Sequence, residues 1–117
     1  MPKSAREFFT ALAGRGFEPR LRGVRGTYRF DVEKAGYWHM AVDDGRLTVR
    51  EGREPADCII ALSEDDLVAA ARGERNLLTL AMQGRVEISG DLQLAQAFHA
   101  MLRATAGAGT REEHIHG

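Results

Sequence analysis

The stretch that most restricts what this chain can become is residues 77–98, LLTLAMQGRVEISGDLQLAQAF. It joins a helix end, a short strand and a helix start with almost no linker between them. Leu77, Leu78, Leu80, Ala81 and Met82 form an apolar run that stops at Gly84, the residue type that most easily closes a helix. Residues 85–89 then alternate, with Val86 and Ile88 on one face, which is the period of a half-buried strand. Gly90 breaks that strand, and Asp91 suits the N-cap of the next helix. Leu94, Ala95, Phe98, Met101 and Leu102 share one helical face. Two helices and a strand therefore turn apolar surface toward one volume, which is either a packed core or a pocket.

Composition matters here for what it excludes. With 117 residues the chain is expected to fold as one domain over residues 1–104, followed by a flexible tail over residues 105–117. A net charge of -1 gives no support to nucleic acid as a partner. The charge is uneven, however. Residues 1–30 hold seven basic groups (Lys3, Arg6, Arg15, Arg20, Arg22, Arg25, Arg29) against Glu7 and Glu18. Transient contact of this side with an anionic membrane surface is one expectation, and a solvated face is the other. Cys58 stands alone, so no disulfide framework exists, as suits a reducing, cytoplasmic setting. No apolar run reaches the roughly 20 residues of a membrane span, and no apolar signal core is visible. The abundance of Ala, Gly and Arg fits a bacterial source with a GC-rich genome.

Taken in order, residues 4–13 read as a helix. Ser4 and Glu7 make a capping box, Ala5, Phe8, Phe9, Leu12 and Ala13 share a face, and Gly14 ends the run. A loop over residues 14–24 comes next. Three strands then form a meander: Tyr28, Phe30 and Val32 alternate with Arg29 and Asp31, Trp38, Met40 and Val42 with His39 and Ala41, and Leu47 and Val49 with polar neighbours. Asp43-Asp44-Gly45 is a hairpin signal between the second and third. Residues 57–62 form a fourth strand, apolar on both faces and so expected to be central. Ser63 caps a helix with Glu64, Asp65 and Asp66 in its first turn, and a second short helix spans residues 76–83. Two helices between the fourth and fifth strands suggest a crossover with those strands parallel. The last helix is expected to end near residue 103. The whole reads as α+β, a five-stranded and mostly antiparallel sheet with helices on one face.

In this arrangement the chain resembles the sterol carrier protein family, the type-two lipid-transfer domain. The resemblance is carried by residues 38–45 (WHMAVDDG), 55–67 (PADCIIALSEDDL) and 81–91 (AMQGRVEISGD), continued by Leu94-Ala95, and it covers about residues 5–104. It implies a sheet and helices enclosing an apolar tunnel for a sterol, a fatty acid or an acyl chain. It also implies a carrier with no chemistry and no cofactor of its own. The chain departs from the family in ending His-Ile-His-Gly, so a peroxisomal address is not expected.

Residues that could do chemistry are sparse. No serine sits in a Gly-x-Ser-x-Gly elbow. Cys58 lies mid-strand among apolar neighbours and reads as structural. His39, on the polar strand face, and His99, on the last helix, read as surface residues. His114 and His116 share the tail, where a structural zinc site is not expected. No catalytic or metal-binding residue is assigned. The apolar residues are more informative. Phe8, Phe9, Leu12, Trp38, Met40, Leu78, Met82, Leu94, Phe98 and Met101 are expected to line a lipid site, where methionine suits a deformable wall. Gln83 is the candidate polar contact to a lipid head group. These residues support two functions. One is a lipid carrier. The other is an accessory module with little or no cavity, docking to an enzyme of lipid, quinone or polyketide metabolism. Oligomeric state is left open.

Overall fold

Capping residues decide where the helices of this chain begin. The Ser4 hydroxyl accepts the Glu7 N–H at 3.1 Å and starts α1 (Ala5–Arg15). Ser63 does the same for Asp66 in α2 (Glu64–Ala71), and Asn76 for Thr79 in α3 (Leu77–Met82). Asp91 precedes α4 (Leu92–His116) and accepts from Gln93 at 2.9 Å. In the computed structural model the backbone of residues 2–116 and the side chains of residues 2–105 are described. Two helix ends differ from expectation. The helix run passes Gly14, and Gly16, at φ 67°, takes the left-handed cap instead. The last helix continues to His116 where an end near residue 103 was expected, and no proline interrupts it. The tail expected to be flexible over residues 105–117 has nearly all of its side chains outside the described part.

Five strands form one sheet: β1 (Arg25–Glu33), β2 (Gly36–Asp43), β3 (Arg46–Glu51), β4 (Cys58–Ser63) and β5 (Glu87–Gly90), in the order β3-β2-β1-β4-β5. A two-residue turn with Asp44 at φ 51° and Gly45 at φ 91° closes the β2–β3 hairpin, as the sequence suggested. The sheet is mixed. β1 and β4 are parallel, and the other pairs are antiparallel. The expectation that β4 and β5 run parallel is therefore corrected. One crossover helix would reverse the chain once; α2 and α3 reverse it twice and return it to the end where β4 stopped. The link between Asp66, in the first turn of α2, and Arg85, just before β5, marks that return.

The two faces of the sheet have different covers. One face carries Tyr28, Phe30, Trp38, Met40, Val42, Cys58, Ile60 and Leu62 and lies under the helices, where all of these are buried. On the other face Arg29 sits opposite His39, and His39 opposite Arg50. The connection over residues 52–57 must pass β2 and β1 to reach β4, and contacts from this face hold it. Arg29 Nη1 donates to the Arg53 carbonyl at 3.4 Å, the Arg53 guanidinium lies 4.4 Å from the Tyr37 ring centre, Arg50 pairs with Glu54 at 2.5 Å, and the Thr27 hydroxyl donates to Asp57 at 3.1 Å. His39, expected at the surface, is only 8% exposed as a result. The alternation of the strand placed it on the polar face correctly, but a strap that crosses that face has no periodic signature.

Candidate functional site

The interior between the helices and the sheet is built from six aromatic rings. Phe8 and Phe9 come from α1, Tyr28 and Phe30 from β1, Trp38 from β2 and Phe98 from α4. Phe9 stacks on Trp38 with ring centres 4.9 Å apart, and Phe98 lies 4.9 Å from Phe30 and 6.3 Å from Phe8. These separations fall in the attractive range for aromatic pairs. The sequence offered a packed core or a pocket, and here the rings occupy the centre.

Two polar atoms enter this apolar volume with opposite outcomes. The Tyr28 hydroxyl donates to the Leu94 carbonyl at 2.6 Å, which joins β1 to α4. Desolvation raises its pKa above the usual phenol range. Trp38 Nε1 is buried and has no hydrogen-bond partner among the described residues. A buried donor without an acceptor costs free energy, of the order of 1–3 kcal/mol.

An apolar groove opens beside the cluster, between α1 and α4. Phe8, Ala11, Leu12, Ala71, Met101 and Leu102 line it, with Pro2, Glu7, Arg15 and Thr105 at the rim, and its volume is about 340 Å³. Arg15 is also bound to the carboxylate of Glu18, itself 3% exposed. A larger space of about 600 Å³ is walled by Asp31, Glu33, Lys34, Tyr37, Arg85 and Glu87, with Asp31 and Tyr37 from the polar face of the sheet. Its charged wall does not suit a hydrocarbon chain.

Most of the residues expected to line the site converge. Phe8, Phe9, Leu12, Trp38, Met40, Leu94, Phe98 and Met101 are all buried in one cluster. Phe8, Leu12 and Met101 also face the groove. Leu78 is half-buried. Met82 and Gln83 are not on the inner face. Met82 is 88% exposed, and Gln83 is exposed at the C-cap of α3. This short helix turns Leu77 and Leu80 inward, so Met82, two residues beyond Leu80, points away. Ala13, expected on the inner face of α1, is exposed too.

Some residues of the site carried no signal in the sequence. Ala11 and Ala71 line the groove, but small side chains leave no apolar pattern. Asp66, expected as a helix-start acid, is 2% exposed and accepts from Arg75 at 2.6 Å and from Arg85 at 2.9 and 3.1 Å. Cys58 is fully buried, and desolvation, with help from the charges of Asp91 and Asp57, pushes its thiol up to about 11. At neutral pH it holds its proton, so it is a poor nucleophile. No helix among the described residues is long and apolar enough to cross a membrane.

Residues 9–103 match the model of the SCP-2 sterol transfer family. This chain belongs to that family. Sterol carrier protein 2 of Bos taurus is 30% identical over 84 residues, which cover 67% of this chain and 16% of that protein. Hydroxysteroid dehydrogenase-like protein 2 of Danio rerio is 25% identical over 100 residues, covering 82% of this chain and 24% of that one. The chain thus spans less than a quarter of either relative. The solution structure of the sterol carrier protein domain 2 of Helicoverpa armigera superposes with a TM-score of 0.68 at 27% identity, over 86% of this chain and 87% of that one. In this SCP-2 domain the glycine and basic residue that carried the resemblance have plain physical roles. Gly84 turns the chain at φ 78°, and Arg85 clamps Asp66.

Proposed function

We propose that this SCP-2 domain binds a lipid through its acyl or sterol skeleton and carries or presents it without chemistry of its own. The apolar groove between α1 and α4, opening directly on the aromatic cluster, is the observation on which the reading rests. Its volume is at the lower end of the roughly 300–1,000 Å³ usual for small-molecule sites. A long chain therefore has to displace part of the cluster as well. The unpartnered Trp38 N–H supports this, since a carbonyl or hydroxyl brought in with the chain would satisfy it.

The energetics permit such a carrier. Burial of about 14 methylenes at about 0.8 kcal/mol each gives about 11 kcal/mol gross. Association and ordering costs reduce this to about micromolar affinity, weak enough for release.

Helix α1 is the element that yields. Gly16 is its hinge, and the start of the segment is held by the Ala5 N–H to Glu64 at 2.8 Å, by Arg72 Nε to the Pro2 carbonyl at 3.1 Å and by the exposed Arg6–Glu51 pair. Just past the hinge, Phe17 is 37% exposed with the Arg22 guanidinium 5.5 Å from its ring centre, which suits contact with an anionic bilayer in a cytoplasmic setting.

The test is transfer of a fluorescent acyl probe between vesicles, with Trp38 emission followed on binding. Ala11→Trp, placed on an exposed groove position, is expected to cut probe affinity about tenfold with unchanged thermal stability. Transfer is expected to speed up with anionic lipid and to slow with salt. Native mass spectrometry showing no lipid at any stage, with Trp38 emission indifferent to the probe, would refute the carrier. It would favour the second reading, an accessory module docking to an enzyme of lipid metabolism, which the ring-filled interior supports.

A further inference from the structure

Strand β5 forms one edge of the sheet, and the backbone on that edge is available. The Asp91 N–H donates to the Asp57 carbonyl at 2.8 Å, which sets the phase of the β4–β5 ladder. In that phase the Ile59–Ser89 and Ala61–Glu87 pairs exchange hydrogen bonds. Ile88 lies between them and turns its own N–H and C=O outward. Glu87, Ser89 and Gly90 are exposed. Edge strands are commonly protected by short length, charged side chains, proline or a covering element, and β5 has the first of these and one charge, Glu87. Among residues 87–90 there is neither proline nor lysine.

Exposed apolar side chains flank the same edge. Met82 at the end of α3 is 88% exposed, and Leu92 at the start of α4 is 61% exposed. A shallow depression with Ala81, Gly84, Ile88 and Leu92 in its wall runs along the strand. It lies on the far side of the sheet edge from the α1–α4 groove, and the lipid reading makes no use of it.

The geometry points to β5 as the contact between two copies of this chain, paired antiparallel about a two-fold axis at Ile88. Such pairing is self-complementary over the strand. With Ile88 opposite Ile88, the two copies exchange a reciprocal pair of N–H to C=O bonds. Glu87 then falls opposite Ser89, so no like charges meet. Just beyond the strand, the end that carries Gly84 and Arg85 in one copy carries Asp91 and Leu92 in the other, which brings opposite charges to both ends of the contact. Arg85 is bonded to Asp66 through Nε and Nη2, which leaves Nη1 for the second copy. Had the axis fallen between Glu87 and Ile88, this matching would be lost. The edge is only four residues long, so the contact area is below the roughly 1,200 Å² of stable dimers, and the dimer is a weak one.

The experiment is sedimentation velocity of the protein from micromolar to millimolar concentration. A monomer that passes reversibly to a dimer is expected. Leu92→Glu, at an exposed position where the helix dipole tolerates an acid, is expected to weaken the dimer at least tenfold. Asp91→Asn keeps a good N-cap while it removes the charge brought to the Arg85 end of the second copy, and is expected to weaken it severalfold. Thermal unfolding of both variants should match that of the parent. A protein that stays monomeric throughout, or a dimer undiminished in both variants, overturns the proposal. Neither outcome touches lipid binding, which is read separately at the groove.

Discussion

The two faces of the sheet are covered in opposite ways. On the helix side, six aromatic rings and the apolar residues of α1 and α4 pack together, and the Tyr28 hydroxyl donates to the Leu94 carbonyl within the cluster. On the strap side, Arg29 holds Asp31 at 2.8 and 3.1 Å, Arg50 holds Glu54, and Arg53 lies on Tyr37. Apolar contact is non-directional, so one set of rings can settle around a guest in more than one arrangement. Paired charges are directional and leave an uncompensated group when disturbed. Adaptability therefore lies on the helix face and rigidity on the strap face.

The largest test of this contrast is Phe98→Ala. Phe98 touches Phe8, Tyr28 and Phe30 and is fully buried. Truncation is expected to lower unfolding stability by about 3–5 kcal/mol in denaturant titration. A saturating acyl probe should restore part of that loss by filling the space. A variant that loses less than about 1 kcal/mol would show that the rings are not packed against one another.

Next in size is a pH effect at Cys58, between β1 and β5 at the edge of the cluster. Burial raises its pKa in the fold from about 9 to about 11, so the folded state favours the thiol. The stability linked to it is complete below about pH 9 and is lost as pH rises through about 11, a change of about 3 kcal/mol at 1.4 kcal/mol per unit. Cys58→Ala should flatten stability between about pH 9 and about pH 10, above which Tyr28, its own pKa raised by burial, adds a decline. An unchanged decline over that first pH unit in the variant would assign the effect elsewhere.

On the strap face the effects should be smaller and of another kind. Asp31→Asn removes the charge that holds Arg29, in a pair only 20–25% exposed. A loss of about 1 kcal/mol is expected, shrinking with added salt, with no change in probe affinity. A change in affinity would mean that the two faces are coupled and the contrast is false.

Much of this division was legible in the sequence, and the reasons are physical. Alternation in β1 and β2 assigned Phe30, Trp38 and Met40 to one face and Arg29 and His39 to the other, because a strand has a two-residue period. Helical spacing placed Phe8, Phe9, Leu12, Phe98 and Met101 together. What could not be read was whatever depends on chain direction or on a segment without period. The β4–β5 pairing turned on counting two short helices as two reversals. His39 was buried by a strap, and the lining role of Ala11 and Ala71 depended on which helices met. Met82 and Gln83 were misplaced for a related reason. In a helix of six residues the inner face is set by where the helix starts, and Asn76 sets that start.

The smallest expected effect is the most discriminating. Met82 was read from its apolar neighbours as a lining residue, and the structure puts it at 88% exposure, at the β5 edge and outside the α1–α4 groove. Met82→Arg places a cation where nothing covers it, so unfolding stability should change by less than about 0.5 kcal/mol. Probe affinity should not change either, because no atom of the groove wall is altered. If α3 were instead the mouth of a wider cavity, the arginine would stand in the path of the chain and weaken binding, even with its charge turned to water. Measuring probe titrations of Met82→Arg and Ala11→Trp side by side separates the two geometries. Loss only in Ala11→Trp locates entry between α1 and α4. Loss in Met82→Arg moves the entrance to α3.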